Sequence, residues 1–133
     1  MASMNSILII DLDSELSSIL SSYCSLIGTK VQFTTRVMPA LRKIENQRFS
    51  HIFIEANLQI DEPLFVIEAL STKSGINFKT PLTLMVEDQG YQLPTSAASR
   101  LSSILLKPFS LDQFVFHLNQ VPSGDVGTSG ALL

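Results

Sequence analysis

The sequence predicts an α/β fold in which one parallel five-stranded sheet is covered by helices on both faces. Three observations predict it. Five short runs read as strands, and four of them are largely apolar rather than alternating, as strands buried on both faces are. Helical periodicity, capping residues or helix-opening prolines separate them, so strand and helix take turns along the chain. The 133 residues, 45% of them hydrophobic, suffice for the core of one domain and not of two.

The first strand is Ile7-Leu8-Ile9-Ile10, which stops at Asp11-Leu12-Asp13-Ser14. A helix is expected from there, with Asp13 and Ser14 suited to its N-cap. Leu16, Ile19, Leu20, Tyr23 and Ile27 recur at helical spacing on its inner side, serines fill much of the other face, and Gly28 is placed to end it. Val31-Gln32-Phe33-Thr34 reads as the second strand, and Pro39 as the start of a helix carrying Leu41 and Ile44 inward. His51-Ile52-Phe53-Ile54 forms the third strand, ending at Glu55-Ala56-Asn57, and Pro63 opens a helix with Leu64, Ile67 and Leu70 inside. Leu82-Thr83-Leu84-Met85-Val86 and Ile104-Leu105-Leu106 are strands four and five. The helix between them, within Thr95 to Leu101, carries the weakest pattern. The last helix is marked by a Ser110/Gln113 capping box and by Leu111, Phe114, Val115 and Leu118 as inner stripe.

Right-handed crossovers between such elements build a flavodoxin-like (βα)5 three-layer sandwich, for which strand order 2-1-3-4-5 is expected. The domain is placed at residues 6–120, after an extension over 1–5 and before a tail over 121–133 with linker composition. In this topology a crevice forms at the carboxyl ends of the strands, so the residues just after them carry most of the functional information: Asp11, Asp13, Glu55, Val86 and Lys107.

Composition narrows the function. Only 16% of residues are charged, the net charge is −3, and no cluster of Lys or Arg offers a footprint for nucleic acid. One cysteine, Cys24, forms no internal disulfide, and with two separated histidines, His51 and His117, it makes no metal motif. No apolar stretch is long enough to span a membrane, and a cytoplasmic location is expected. Cys24 reads as a small structural residue, His51 as the residue that begins its strand, and His117 as a surface residue.

Acids after the first and third strands, with a Lys-Pro after the fifth, resemble the receiver domains of two-component response regulators from about Ser6 to Asn119. In that family two consecutive acids after strand 1 help hold Mg²⁺, an Asp after strand 3 takes a phosphoryl group, a Ser/Thr after strand 4 contacts it, and the Lys supplies a cation. Asp11 matches the first acid, while Leu12 stands at the second and Asp13 at the variable position that follows. Glu55 occupies the phosphoacceptor position, Val86-Glu87 replaces the hydroxyl residue and its small neighbour, and Lys107-Pro108-Phe109 matches fully.

The resemblance therefore implies an atypical receiver, a pseudo-receiver. A leucine removes a hard oxygen ligand, so no cofactor is expected, with Asp11 and Asp13 the ligands of Mg²⁺ if any. Glu is one methylene longer than Asp, which displaces the carboxylate by roughly 1.5 Å in a transfer that depends on positioning. Lys107 should pair with Glu55 or Asp11. The expected function is a phosphorylation-independent signalling module that binds proteins and is not an enzyme. The alternative is a phosphoacceptor with a rearranged Mg²⁺-dependent acidic site. A partner, or a second copy in a homodimer, is expected on the face of the fourth helix, fifth strand and fifth helix, with Ile104, Phe109 and Phe116 as contact residues.

Overall fold

The computed structural model describes residues 5–56, 62–87 and 91–119. Its elements are β1 (Asn5–Ile10), α1 (Ser14–Leu26), β2 (Thr29–Thr34), α2 (Val37–Asn46), β3 (His51–Glu55), α3 (Glu62–Ala69), β4 (Leu82–Val86), α4 (Thr95–Ala98), β5 (Ser103–Leu106) and α5 (Leu111–Leu118). The five strands pair in parallel in the order β2-β1-β3-β4-β5, as the sequence predicts. The expected tail over 121–133 lies outside the described residues, and Asn5, placed in the N-terminal extension, is the first residue of β1.

The uninterrupted apolar strands follow from the two-sided core. Leu8, Ile10, Ile52, Ile54, Leu82, Leu84 and Val86 face one side, where Val37, Ala40 and Ile44 from α2, Val66 and Ile67 from α3, and Leu70 just after it cover them. Ile7, Ile9, Phe53, Met85 and Leu105 face the other, against Leu20, Cys24 and Phe114 from α1 and α5. Both sets are removed from water, which supplies the main driving force for this layering.

α1 is capped by Asp13, whose carboxylate accepts from the amides of Glu15 and Leu16, and is closed by Gly28 at φ +77, where a side chain would be strained. Of the expected inner stripe, Leu16, Leu20 and Tyr23 pack on the core, but Ile19 and Ile27 do not. Ser17, Leu20 and Cys24 are buried, whereas Ile19 and Ile27 are 63% and 49% exposed. Small Ser17 and Cys24 let the helix sit close on the sheet, and that rotation puts Ile19 outside. α2 begins two residues before Pro39, which sits in the first turn where a missing amide proton costs nothing.

α4 is shorter than the stretch to Leu101 that the sequence marked. It has four residues and buries only Ala97, since Thr-Ser-Ala-Ala offers little to pack. The chain then turns Arg100 inward, where its guanidinium donates to the carbonyls of Leu70 (2.8 Å), Asn77 (3.1 Å) and Thr80 (2.8 Å). Asn77 is a second tie at this end of the sheet. Its amide donates to the carbonyls of Ile44 and Gln47, and its oxygen accepts from the Phe49 amide and the Thr80 hydroxyl.

The capping box of α5 forms as read, Ser110 accepting from the Gln113 amide at 3.1 Å and Gln113 accepting from the Ser110 amide at 2.8 Å. Ser110→Ala is expected to lower stability by about 1 kcal/mol and Ser110→Asp to restore most of it, as urea denaturation would read. His51 begins β3 as expected, whereas His117 is not the surface residue expected. His51 is fully buried and His117 is partly buried, because a polar chain links them across the sheet: His51 Nε2 to Thr83 Oγ1 at 2.7 Å, Thr83 to Ser103 Oγ at 2.8 Å, and Ser103 to His117 Nδ1 at 2.8 Å. Burial pushes the His51 pKa down to about 3 and lowers that of His117, so both rings stay neutral at physiological pH.

Candidate functional site

Parallel strands bring the residues that follow β1, β3 and β5 to one end of the sheet. There Asp11, Glu55 and Lys107 meet. Asp11 and Glu55 are nearly inaccessible, and the Lys107 ammonium donates to Asp11 Oδ2 at 2.9 Å and to Glu55 Oε2 at 2.7 Å. Asp11 is fixed further by the Asp13 amide, which donates to its Oδ1 at 2.9 Å. Residues 96 and 52 positions apart in sequence thus form one ion cluster. The Lys107–Pro108 peptide bond is cis.

Burial alone would lower the Lys107 pKa, but the hydrogen bonds it donates to Glu55 and Asp11, together with their charges, outweigh it and hold the pKa above the usual lysine value. The ammonium is therefore locked on. Glu55 Oε1, also buried, has no hydrogen-bond partner among the described residues. Beside the cluster opens a pocket of ≈ 470 Å³ lined by Asp13, Leu16, Glu87, Lys107, Pro108 and Phe109.

Not every residue singled out in the sequence reaches this crevice. Asp13 lies at its rim but spends its carboxylate on the α1 cap. Val86 is buried in the α2–α3 side of the core, and only its carbonyl touches the site, accepting from the Lys107 amide at 2.7 Å. Phe109 packs against Phe114 with ring centroids 6.3 Å apart rather than facing outward. Ile104 and Phe116 are 57% and 58% exposed, and Phe116 meets the His117 ring edge-on. Cys24 is buried and burial raises its pKa, so the thiol is kept from ionising.

One surface was missed in the sequence. Because α4 is so short, Leu84, Val86, Tyr91, Leu93, Ala98, Leu101, Ile104 and Leu106 line an apolar groove of ≈ 320 Å³ beside β5. The only signal was the lack of large apolar residues between Thr95 and Ala98, too few to cover the strand.

A two-sided, five-stranded parallel sheet of this order, with acids and a lysine gathered at its carboxyl end, defines the CheY-like receiver fold. Solved structures agree. The chain is similar to the receiver domain of a sensor histidine kinase from Pseudomonas aeruginosa, whose active-site cleft coordinates a magnesium ion, with TM-score 0.74 and 17% identity over 87% of this chain and 95% of that one. It is similar to the chemotaxis response regulator CheY4 of Vibrio cholerae, with TM-score 0.73 and 20% identity over 87% and 97%. The non-phosphorylated HemR receiver domain of Leptospira biflexa gives TM-score 0.72 and 17% identity over 86% and 90%. No protein-family model matches the chain, and no curated protein sequence is significantly similar to it. Among the described residues, no helix is long and apolar enough to cross a membrane.

The donor set does not fit Mg²⁺. A near-octahedral shell of oxygens with one or two carboxylates is needed. Here Leu12 is 62% exposed and offers no oxygen from its side chain, Asp13 has its Oδ1 engaged in the α1 cap, and the Lys107 ammonium sits between the remaining carboxylates. Among the described residues no group of three or more His, Cys, Asp or Glu is placed to hold a metal ion.

Proposed function

We propose that this domain is a signalling module of receiver fold that works by binding other proteins, independently of phosphorylation and without enzymatic activity. The observation that carries this reading is the Lys107 ammonium bridging Asp11 and Glu55 at 2.9 and 2.7 Å. Glu55 stands at the phosphoacceptor position and already occupies the cation that a phosphoryl group would need. It imitates a charged phospho-aspartate in part, with one charge in place of about two. Val86 brings no hydroxyl to the site, and the exposed Glu87 adds negative charge beside it, which repels an incoming phosphate.

The binding face in this reading is built by α4, β5 and α5. Ile104 and Phe116 are its apolar anchors, and the groove with Tyr91 and Leu93 lies next to them. Its partners are proteins of a two-component-type regulatory system.

Incubation with acetyl phosphate and Mg²⁺, followed by intact-mass spectrometry, tests the reading. No phosphoryl adduct is expected. A stoichiometric, acid-stable and base-labile adduct abolished by Glu55→Gln would establish instead a phosphoacceptor with a rearranged acidic site.

A further inference from the structure

The two ends of the sheet carry opposite charge around apolar centres, and the geometry points to head-to-tail association of this chain with further copies of itself. At the carboxyl end Leu12 is 62% exposed, and Asp13, Glu15 and Glu87 are exposed near it. Among the described residues the one cation lining the pocket at this end is Lys107, which Asp11 and Glu55 already hold. The head is thus an apolar knob among unneutralised carboxylates.

At the amino end a groove of ≈ 870 Å³ opens between the starts of β1, β3 and β4, with Asn5, Ser50 and Pro81 on its wall. Arg48, Lys73 and Lys79 line it, all three are exposed, and no carboxylate is among the lining residues. No ion pair engages any of these cations among the described residues. Between them lie Ile76, 43% exposed, and the half-buried Phe78. A third of the chain's nine basic residues therefore gather, unpaired, around an apolar floor.

The two poles match in both sign and polarity. Long-range repulsion from a net charge of −3 is screened within about 10 Å at moderate salt, whereas the local pairing of carboxylates with ammonium and guanidinium groups acts at contact. Because all strands run parallel, head and tail lie at opposite ends of one axis. The contact is therefore heterologous, and it adds copies in a row rather than closing a two-fold dimer. It leaves the α4–β5–α5 face of every copy uncovered and does not depend on the function proposed above. It also gives Leu12 a role at a position where an acid would serve metal binding.

Sedimentation velocity on the whole chain tests this. The mean mass is expected to rise with concentration at low ionic strength, and the association to weaken about tenfold or more when salt is raised to roughly 0.5 M. Leu12→Lys removes the apolar knob and places a cation in the head, and Lys73→Glu with Lys79→Glu spoils the tail, so each variant alone is expected to be monomeric. Mixed together they should form a 1:1 heterodimer that grows no further, since one supplies the intact tail and the other the intact head. Circular dichroism establishes that each variant is folded, and Glu87→Lys replaces Leu12→Lys should the latter not fold. A wild type that stays monomeric in low salt, an association that survives either variant, or a mixture that yields no heterodimer overturns the proposal.

Discussion

Lys107→Met is expected to lower stability at neutral pH by about 3–5 kcal/mol, since it leaves two buried carboxylates facing each other without their cation. The corresponding drop in Tm is roughly 10–20 °C. Methionine keeps most of the apolar stem, so the loss reports the ammonium rather than a cavity. Adding Glu55→Gln to Lys107→Met should recover part of the loss, and the double-mutant cycle then measures the Glu55–Lys107 coupling. Additivity of the two substitutions would argue against any such coupling. The sign of the pH dependence follows from the raised Lys107 pKa. Its contribution is fully present below the unfolded lysine value of about 10.4 and is lost as pH rises through the higher folded value. Wild type should therefore converge on Lys107→Met in strongly alkaline solution, a comparison that urea titrations at several pH values can make.

Asn77→Ala is expected to cost a similar amount, about 3–5 kcal/mol. One amide group satisfies the Phe49 amide at 2.9 Å, the Thr80 hydroxyl at 2.8 Å, and the carbonyls of Ile44 and Gln47 at 2.8 and 2.7 Å. Each buried polar group left without a partner costs on the order of 1–3 kcal/mol, and water entering the space relieves some of the total. Against a domain stability of about 5–15 kcal/mol, this removes a large share. Asn77→Asp has nearly the same shape but turns a carboxylate toward two carbonyl oxygens, so it should destabilise at least as much. A urea midpoint for either variant within error of wild type would contradict this account.

These two residues show what the sequence could and could not reveal. Lys107 was legible because it precedes a proline directly after an apolar strand, in register with Asp11 and Glu55 at the ends of two others, and parallel pairing makes such positions neighbours. Most of the strands were legible for a related reason, being apolar at odd and even positions alike, while β2 was marked by its alternation of Val31 and Phe33 with Gln32 and Thr34. Asn77 and Arg100 gave no such signal, because their partners are mostly backbone groups from 20 to 33 residues away, which leave no pattern in the side chains. On α1 the periodicity found Leu16, Leu20 and Tyr23 but not Ser17 and Cys24, since close approach to the sheet selected those small residues over Ile19. His51 looked like a polar residue at the start of a strand, and only the hydroxyls of Thr83 and Ser103 on adjacent strands make its burial tolerable.

The four-residue α4 has a thermodynamic consequence of its own. With one buried side chain to lose, it can open at a free energy far below that of global unfolding, while the Arg100 anchors just beyond it remain closed. Amides of residues 95–98 should accordingly exchange with solvent deuterium long before those of β3 and β4. A protein docking beside β5 would thus meet an ensemble in which the groove is already widened in a minor population, and its binding would draw on that population rather than on a rigid surface.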